Sequence, residues 1–139
     1  MSLLIGVNDV WHELGGCHNG VSAEKFEKIY NMLITEILEE LPNIKILIME
    51  PFVLEAGATI ATEAEPMRWE YFKTEVSKRA VVAKRMAEKY NLPFVALQGI
   101  FDDACKQASA SYWLFDGVHP TPMGHWLIKN EWIKAFREA

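Results

Sequence analysis

The sequence predicts an α/β domain, a parallel sheet with helices on both of its faces. Three observations lead there. Short apolar runs alternate with long segments of helical periodicity, strand then helix, three times in succession. Residues 44–49, Ile-Lys-Ile-Leu-Ile-Met, are nearly continuous apolar sequence, as a strand covered on both faces requires. Finally, the 139 residues are 50% hydrophobic and 24% charged, the balance of one soluble globular domain.

The first run is residues 3–7, Leu3, Leu4, Ile5, Gly6 and Val7, which stops on Asn8-Asp9. It reads as a buried strand whose end delivers polar side chains to a loop. Residues 10–16, with Gly15-Gly16, then read as a turn-rich loop, and Trp11 and His12 would lie there beside any site at the strand's end. Ser22 is a good helix N-cap, with Val21 and Phe26 spaced as a hydrophobic staple. From Phe26 through Ile29, Tyr30, Leu33, Ile34, Ile37, Leu38 and Leu41 the apolar positions keep helical spacing, until Pro42-Asn43 ends the helix.

After the strand at 44–49, residues 53–65 show no clean period and read as a loop on the same side as Asn8. A second long helix follows Glu65-Pro66, with Phe72, Val76, Ala80, Ala83, Ala87 and Tyr90 as its apolar face. Its basic residues, Lys73, Lys78, Arg79, Lys84, Arg85 and Lys89, are expected in solvent. Asn91-Leu92-Pro93 turns into a third strand at 94–97, and a short helix is expected over 100–107. The aromatic cluster Tyr112, Trp113, Leu114 and Phe115 precedes a Gly- and Pro-punctuated loop, which it is expected to hold rigid. Thr121 then caps the last helix with Pro122 in its first turn. Trp126, Leu127, Ile133 and Phe136 are expected to point inward, and His125 to be structural.

A net charge of −5 with no basic stripe argues against nucleic acid. No run reaches the length of a membrane span. Two cysteines, Cys17 and Cys105, form neither a disulfide framework nor a metal motif and are expected as free thiols. Compartment is not readable from these features.

Chemistry concentrates in Asp116-Gly117-Val118-His119-Pro120. A carboxylate three residues ahead of an imidazole, on a loop that glycine lets turn sharply, can accept the Nδ1 proton and aim Nε2 at a nucleophile. By itself a D-x-x-H pair is equally a capping Asp beside an exposed His.

Gly6-Val7-Asn8-Asp9 near the start and Asp116-x-x-His119-Pro120 near the end together resemble the SGNH, or GDSL-like, hydrolase family over nearly the whole chain. The wording around both motifs is most similar to carbohydrate-acetate esterases. The resemblance implies a three-layer α/β/α sandwich, here truncated to about the last three strands of the family's five-stranded parallel sheet. It implies a Ser-His-Asp carboxylester hydrolase in which Asn8 is the oxyanion donor, Asp116 the orienter and His119 the base. No cofactor or metal is implied. The expected partner is a small ester, with an acetylated carbohydrate favoured by the resemblance and by Trp11 and Trp113 as sugar platforms, and with Trp11 and His12 expected to shape the pocket. The family's Gly-Asp-Ser nucleophile motif does not occur, and Ser2, Ser22, Ser77, Ser109 and Ser111 all lack its context. The chain is therefore expected to be the C-terminal portion of one such domain, inactive alone, and to self-associate through the strand edge at residues 3–7.

Two other readings compete. Asp9-x-x-His12 repeats the spacing of Asp116-x-x-His119, so two carboxylates and two imidazoles could surround a Zn²⁺ in a metal-dependent hydrolase. The chain as it stands also suits a non-catalytic α/β interaction domain.

Overall fold

A computed structural model describes residues 1–16 and 18–138, except for the Glu138 side chain. Cys17, expected as a free thiol, lies outside the described residues; Cys105 is free and half-buried. Three parallel strands, β1 (Ser2–Leu3), β2 (Leu47–Met49) and β3 (Phe94–Val95), form one sheet in that order. The register is Ser2 with Leu47, Leu3 with Ile48, Ile48 with Phe94 and Met49 with Val95. The α/β class and the parallel sheet are as expected.

Alternation along the central segment explains the layers. Ile46 and Ile48 point to one face, where α2 (Ala23–Glu40) and α3 (Arg68–Tyr90) close over them with Phe26, Tyr30, Ile34, Val82, Ala83 and Met86. Leu47 and Met49 point to the other face. There Leu97, Phe101 and Leu114 meet Leu127, Ile128, Trp132 and Ala135 of α6 (Pro122–Glu138). Both faces are apolar because both are covered, which is why residues 46–49 are uninterrupted hydrophobics. The shorter helices α4 (Gln98–Ala104) and α5 (Ala110–Trp113) link β3 to the loop ahead of α6.

Caps fall where the sequence puts them. Ser22 Oγ accepts from Lys25 N at 3.3 Å, and Thr121 Oγ1 accepts from Gly124 N at 3.2 Å. Four local expectations are corrected. The first strand is only Ser2–Leu3, and the expected loop at 10–16 is largely helix α1 (Val7–Leu14). Gly6, at φ +125°, makes the turn between them, and Val7, Val10, Trp11 and Leu14 then share one apolar helix face against Phe72 and Val76. Arg79 is not solvated: it is 3% exposed, paired with Glu75 at 2.9 Å and bonded to the Val21 carbonyl. On α6 the inward face is Leu127, Ile128, Trp132 and Ala135, and this turns Trp126 and Phe136 outward.

Candidate active site

The loop carrying Asp116 and His119 is pinned at both ends before either side chain acts. An antiparallel bridge joins Leu114 to Pro120, Phe115 N donates to the His119 carbonyl at 3.1 Å, and Thr121 N donates to the Trp113 carbonyl at 2.9 Å. Thr121 Oγ1 also donates to the Tyr112 carbonyl at 2.7 Å. From below, Leu54 N donates to Gly117 O at 2.9 Å and Ala58 N to Asp116 O at 3.1 Å. The segment after β2 thus forms the floor of the loop, and buried Val118 fastens it to Val10, Val53, Phe72 and Val76.

Two glycines allow this close approach. A Cβ on Gly117, at φ +95°, would lie 2.3 Å from Thr59 Oγ1, and one on Gly57, at φ +50°, 2.7 Å from Asp116 Cα. Thr59 is fully buried; its hydroxyl accepts from Ala56 N at 3.0 Å and donates to the Leu54 carbonyl at 2.5 Å. Thr59 thus satisfies its own hydroxyl and the Ala56 N–H from within the floor.

Within this frame Asp116 divides its two oxygens. Oδ1 accepts the backbone N–H groups of Val118 at 3.1 Å and His119 at 2.8 Å; Oδ2 lies 2.7 Å from His119 Nδ1. Partial burial pushes the carboxyl's pKa up, but the two amides and the His119 ring outweigh it and hold it below the ordinary carboxylate value. The His119 side chain is 61% exposed while Asp116 is 18% exposed, so the ring is held from behind and open in front. With Nδ1 bonded to Oδ2, the Nε2 lone pair is available for a proton.

Aromatic rings frame that imidazole. Phe115 stacks on it at 5.8 Å and 23°, and Trp11 meets it edge-on at 6.1 Å and 69°. Trp11 is anchored in turn by Phe72 at 5.6 Å. Asn8 precedes Trp11 by one helical turn, so it occupies the same side of α1, exposed and without a side-chain hydrogen bond among the described residues. His12 is exposed on the next position round the helix. Trp113, expected as a sugar platform, is 8% exposed and packed in the core, so it has no open ring face to offer. Phe115, 60% exposed beside His119, has that accessible face instead; the aromatic cluster pointed to it only as a structural clamp.

The two D-x-x-H pairs do not converge. Asp9 lines a separate cleft with Glu13, Tyr71, Glu75 and Arg79, and among the described residues no three His, Cys, Asp or Glu side chains form a metal-ligand group. The two pairs share only their spacing, Asp9 and His12 lying in helix α1 and Asp116 and His119 on a loop, and the zinc reading has no ligand set among the described residues.

A parallel α/β sheet with an Asp–His pair on a loop outside its strands defines a hydrolase-type architecture, and the sequence comparisons identify which. The pattern of the GDSL-like lipase/acylhydrolase family matches residues 1–127, and the chain belongs to that family. It is 28% identical over 138 residues to an acetylxylan esterase of Geobacillus stearothermophilus, an alignment of 96% of this chain and 57% of that protein. A structure described as a GDSL-like lipase from Parabacteroides merdae superposes with a TM-score of 0.85 at 39% identity, over 96% of this chain and 58% of that one. A catalytic aspartate-to-alanine mutant of the Geobacillus enzyme superposes at 0.75 with 26% identity, over 96% and 57%. The expected kinship with carbohydrate-acetate esterases is met, and the chain spans a little over half the length of these relatives.

Proposed function

We propose that this chain carries the base, the orienter and one oxyanion donor of a serine carboxylester hydrolase acting on acetylated carbohydrate. The observation that carries the reading is the 2.7 Å contact between Asp116 Oδ2 and His119 Nδ1 behind an exposed imidazole. His119 Nε2 takes the proton of a serine hydroxyl as that oxygen attacks the ester carbonyl. Asn8, free in the first turn of α1, donates to the oxyanion; His119 then returns the proton to the leaving sugar hydroxyl, and a water molecule repeats the sequence to release acetate. Phe115 and Trp11 line the approach, supporting a sugar ring as the alcohol. No serine of this sequence hydrogen-bonds to His119 among the described residues, so the nucleophile is assigned to a segment outside these 139. Kinship with an acetylxylan esterase supports the acetyl and sugar parts of the reading.

A fluorophosphonate probe tests it. The 139-residue chain should remain unlabelled, whereas a version extended to include a Gly-Asp-Ser segment should label stoichiometrically at that serine and lose the label in His119→Ala. Labelling of any serine within this chain would overturn the assignment. Self-association through the edge of β1 belongs to the same proposal; only Ser2–Leu3 pair in the sheet, with exposed Leu4 and Ile5 beyond, and a monomer in sedimentation would remove it.

A further inference from the structure

A cavity whose lining does not include His119 lies beside the floor segment, with Val53, Leu54 and Glu55 in its wall. It has a volume of about 510 Å³, a size typical of small-ligand pockets. Helix α3 supplies one wall, with Trp69, Lys73 and Ser77 at successive four-residue steps, so an indole, an ammonium and a hydroxyl stand in one row. The opposite wall is α4 with Gln98 and Asp102, and Glu55 stands on the connecting loop.

The polar groups of this cavity are arranged unequally. Gln98 is committed: its Oε1 accepts from Val53 N and its Nε2 donates to Val53 O, both at 3.0 Å. The same Nε2 donates to Asp102 Oδ1 at 2.9 Å, fixing that carboxylate and leaving Oδ2 as an oriented acceptor. Lys73, Ser77 and Glu55 have no hydrogen-bond or ion-pair partner among the described residues. These three and Asp102 are exposed, so the open cleft presents solvated acceptors and donors beside the partly buried Trp69. One ammonium against two carboxylates disfavours anions, and the mixed lining disfavours a purely apolar guest.

We propose that this cavity is a second binding site, for a neutral carbohydrate unit remote from the ester. Vicinal hydroxyls of a sugar both donate and accept; Asp102 and Glu55 accept hydrogen bonds from them, while Lys73 and Ser77 donate to the ring and hydroxyl oxygens. Trp69 packs against the sugar's C–H face, a contact that excludes water without demanding charge. The wall residue Leu54 donates its N–H to Gly117 in the Asp116–His119 loop, so one segment serves as wall to this cavity and floor to that loop. The site stands on its own lining and does not require that the ester reading be right.

The test uses unacetylated xylohexaose, with cellohexaose and maltohexaose beside it, titrated into the ¹⁵N-labelled protein. None has an ester, so binding is read separately from hydrolysis. At least one should shift the Trp69 indole signal, identified by its loss in Trp69→Phe, with saturation in the millimolar range. Ser77→Leu, a substitution at an exposed helix position, should fill the cavity and weaken binding about tenfold or more with the fold intact. His119→Ala should bind as the unaltered protein does. Failure of all three sugars to saturate, or saturation unchanged by both Ser77→Leu and Lys73→Ala, would overturn the proposal. Saturation lost in His119→Ala but kept in Ser77→Leu would assign the sugar to the ester site and remove this one.

Discussion

Asp116 grips His119 twice, through the ring nitrogen at 2.7 Å and through the backbone N–H at 2.8 Å. The second bond fixes where the ring begins and the first fixes which nitrogen holds the proton. At a pH where the ring is neutral, the Nδ1–H tautomer should dominate, as ¹⁵N shifts of the imidazole would report. In Asp116→Asn the side-chain amide can donate to Nδ1, and the Nε2–H form should gain. An unchanged tautomer would mean that Asp116 does not orient the ring.

The depressed pKa of Asp116 sets a direction for acid sensitivity. A carboxyl whose folded pKa lies below its unfolded value contributes stability that is fully present above the unfolded value. That contribution is lost as pH falls through the folded pKa. The ordinary value is 3.8, so the loop should hold through mildly acidic solution and loosen only below it. A carboxyl ¹³C titration of Asp116 should give a midpoint under 3.8; a midpoint above it would mean that burial outweighs the three hydrogen bonds.

Gly117→Ala should be costly for two independent reasons. It demands φ +95° of an L side chain and drives a methyl to 2.3 Å from buried Thr59. A loss of about 1–3 kcal/mol is expected from the backbone alone, with the clash added to it. Chemical denaturation measures it, and stability within about 0.5 kcal/mol of the parent chain would show that the loop can move off its floor.

Removing Glu75 should leave the buried guanidinium of Arg79 hydrogen-bonded, among the described residues, to the Val21 and residue-75 backbone carbonyls alone, with Asp9 and Glu13 in the same cleft. Glu75→Ala is expected to destabilise by roughly 2–3 kcal/mol, less than for a fully enclosed pair because Glu75 is partly exposed. Arg79→Met, which removes the charge with the pair, should be the milder change; a harmless Glu75→Ala would show that water already reaches Arg79.

Much of this was legible because it is local. Ser22 and Thr121 cap helices through contacts three residues long, and Asp116 reaches His119 across the same span. Helix α1 was also written locally, in Val7, Val10, Trp11 and Leu14, but Gly15-Gly16 and the preceding apolar run favoured strand-then-loop over a short helix. Arg79 and Trp113 illustrate the other limit. A basic residue on a helix reads as solvated until Val21, 58 positions away, proves to be its partner, and an aromatic beside a site reads as a platform until α6 covers it. Thr59 and Gly57 gave no signal at all, because their task is to lie beneath a loop nearly sixty residues downstream.

Asp116, His119 and Asn8 are proposed to act together on an acyl group. Initial rates of acetate release from acetylated xylooligosaccharide, measured with a version that includes the serine segment, test it most directly. His119→Ala should abolish turnover, Asp116→Asn should lower kcat by about 10⁴, and Asn8→Ala should lower it by about 10²–10³, with the fold retained in each. A His119→Ala protein that still released acetate at the parent rate would rule out His119 as the base.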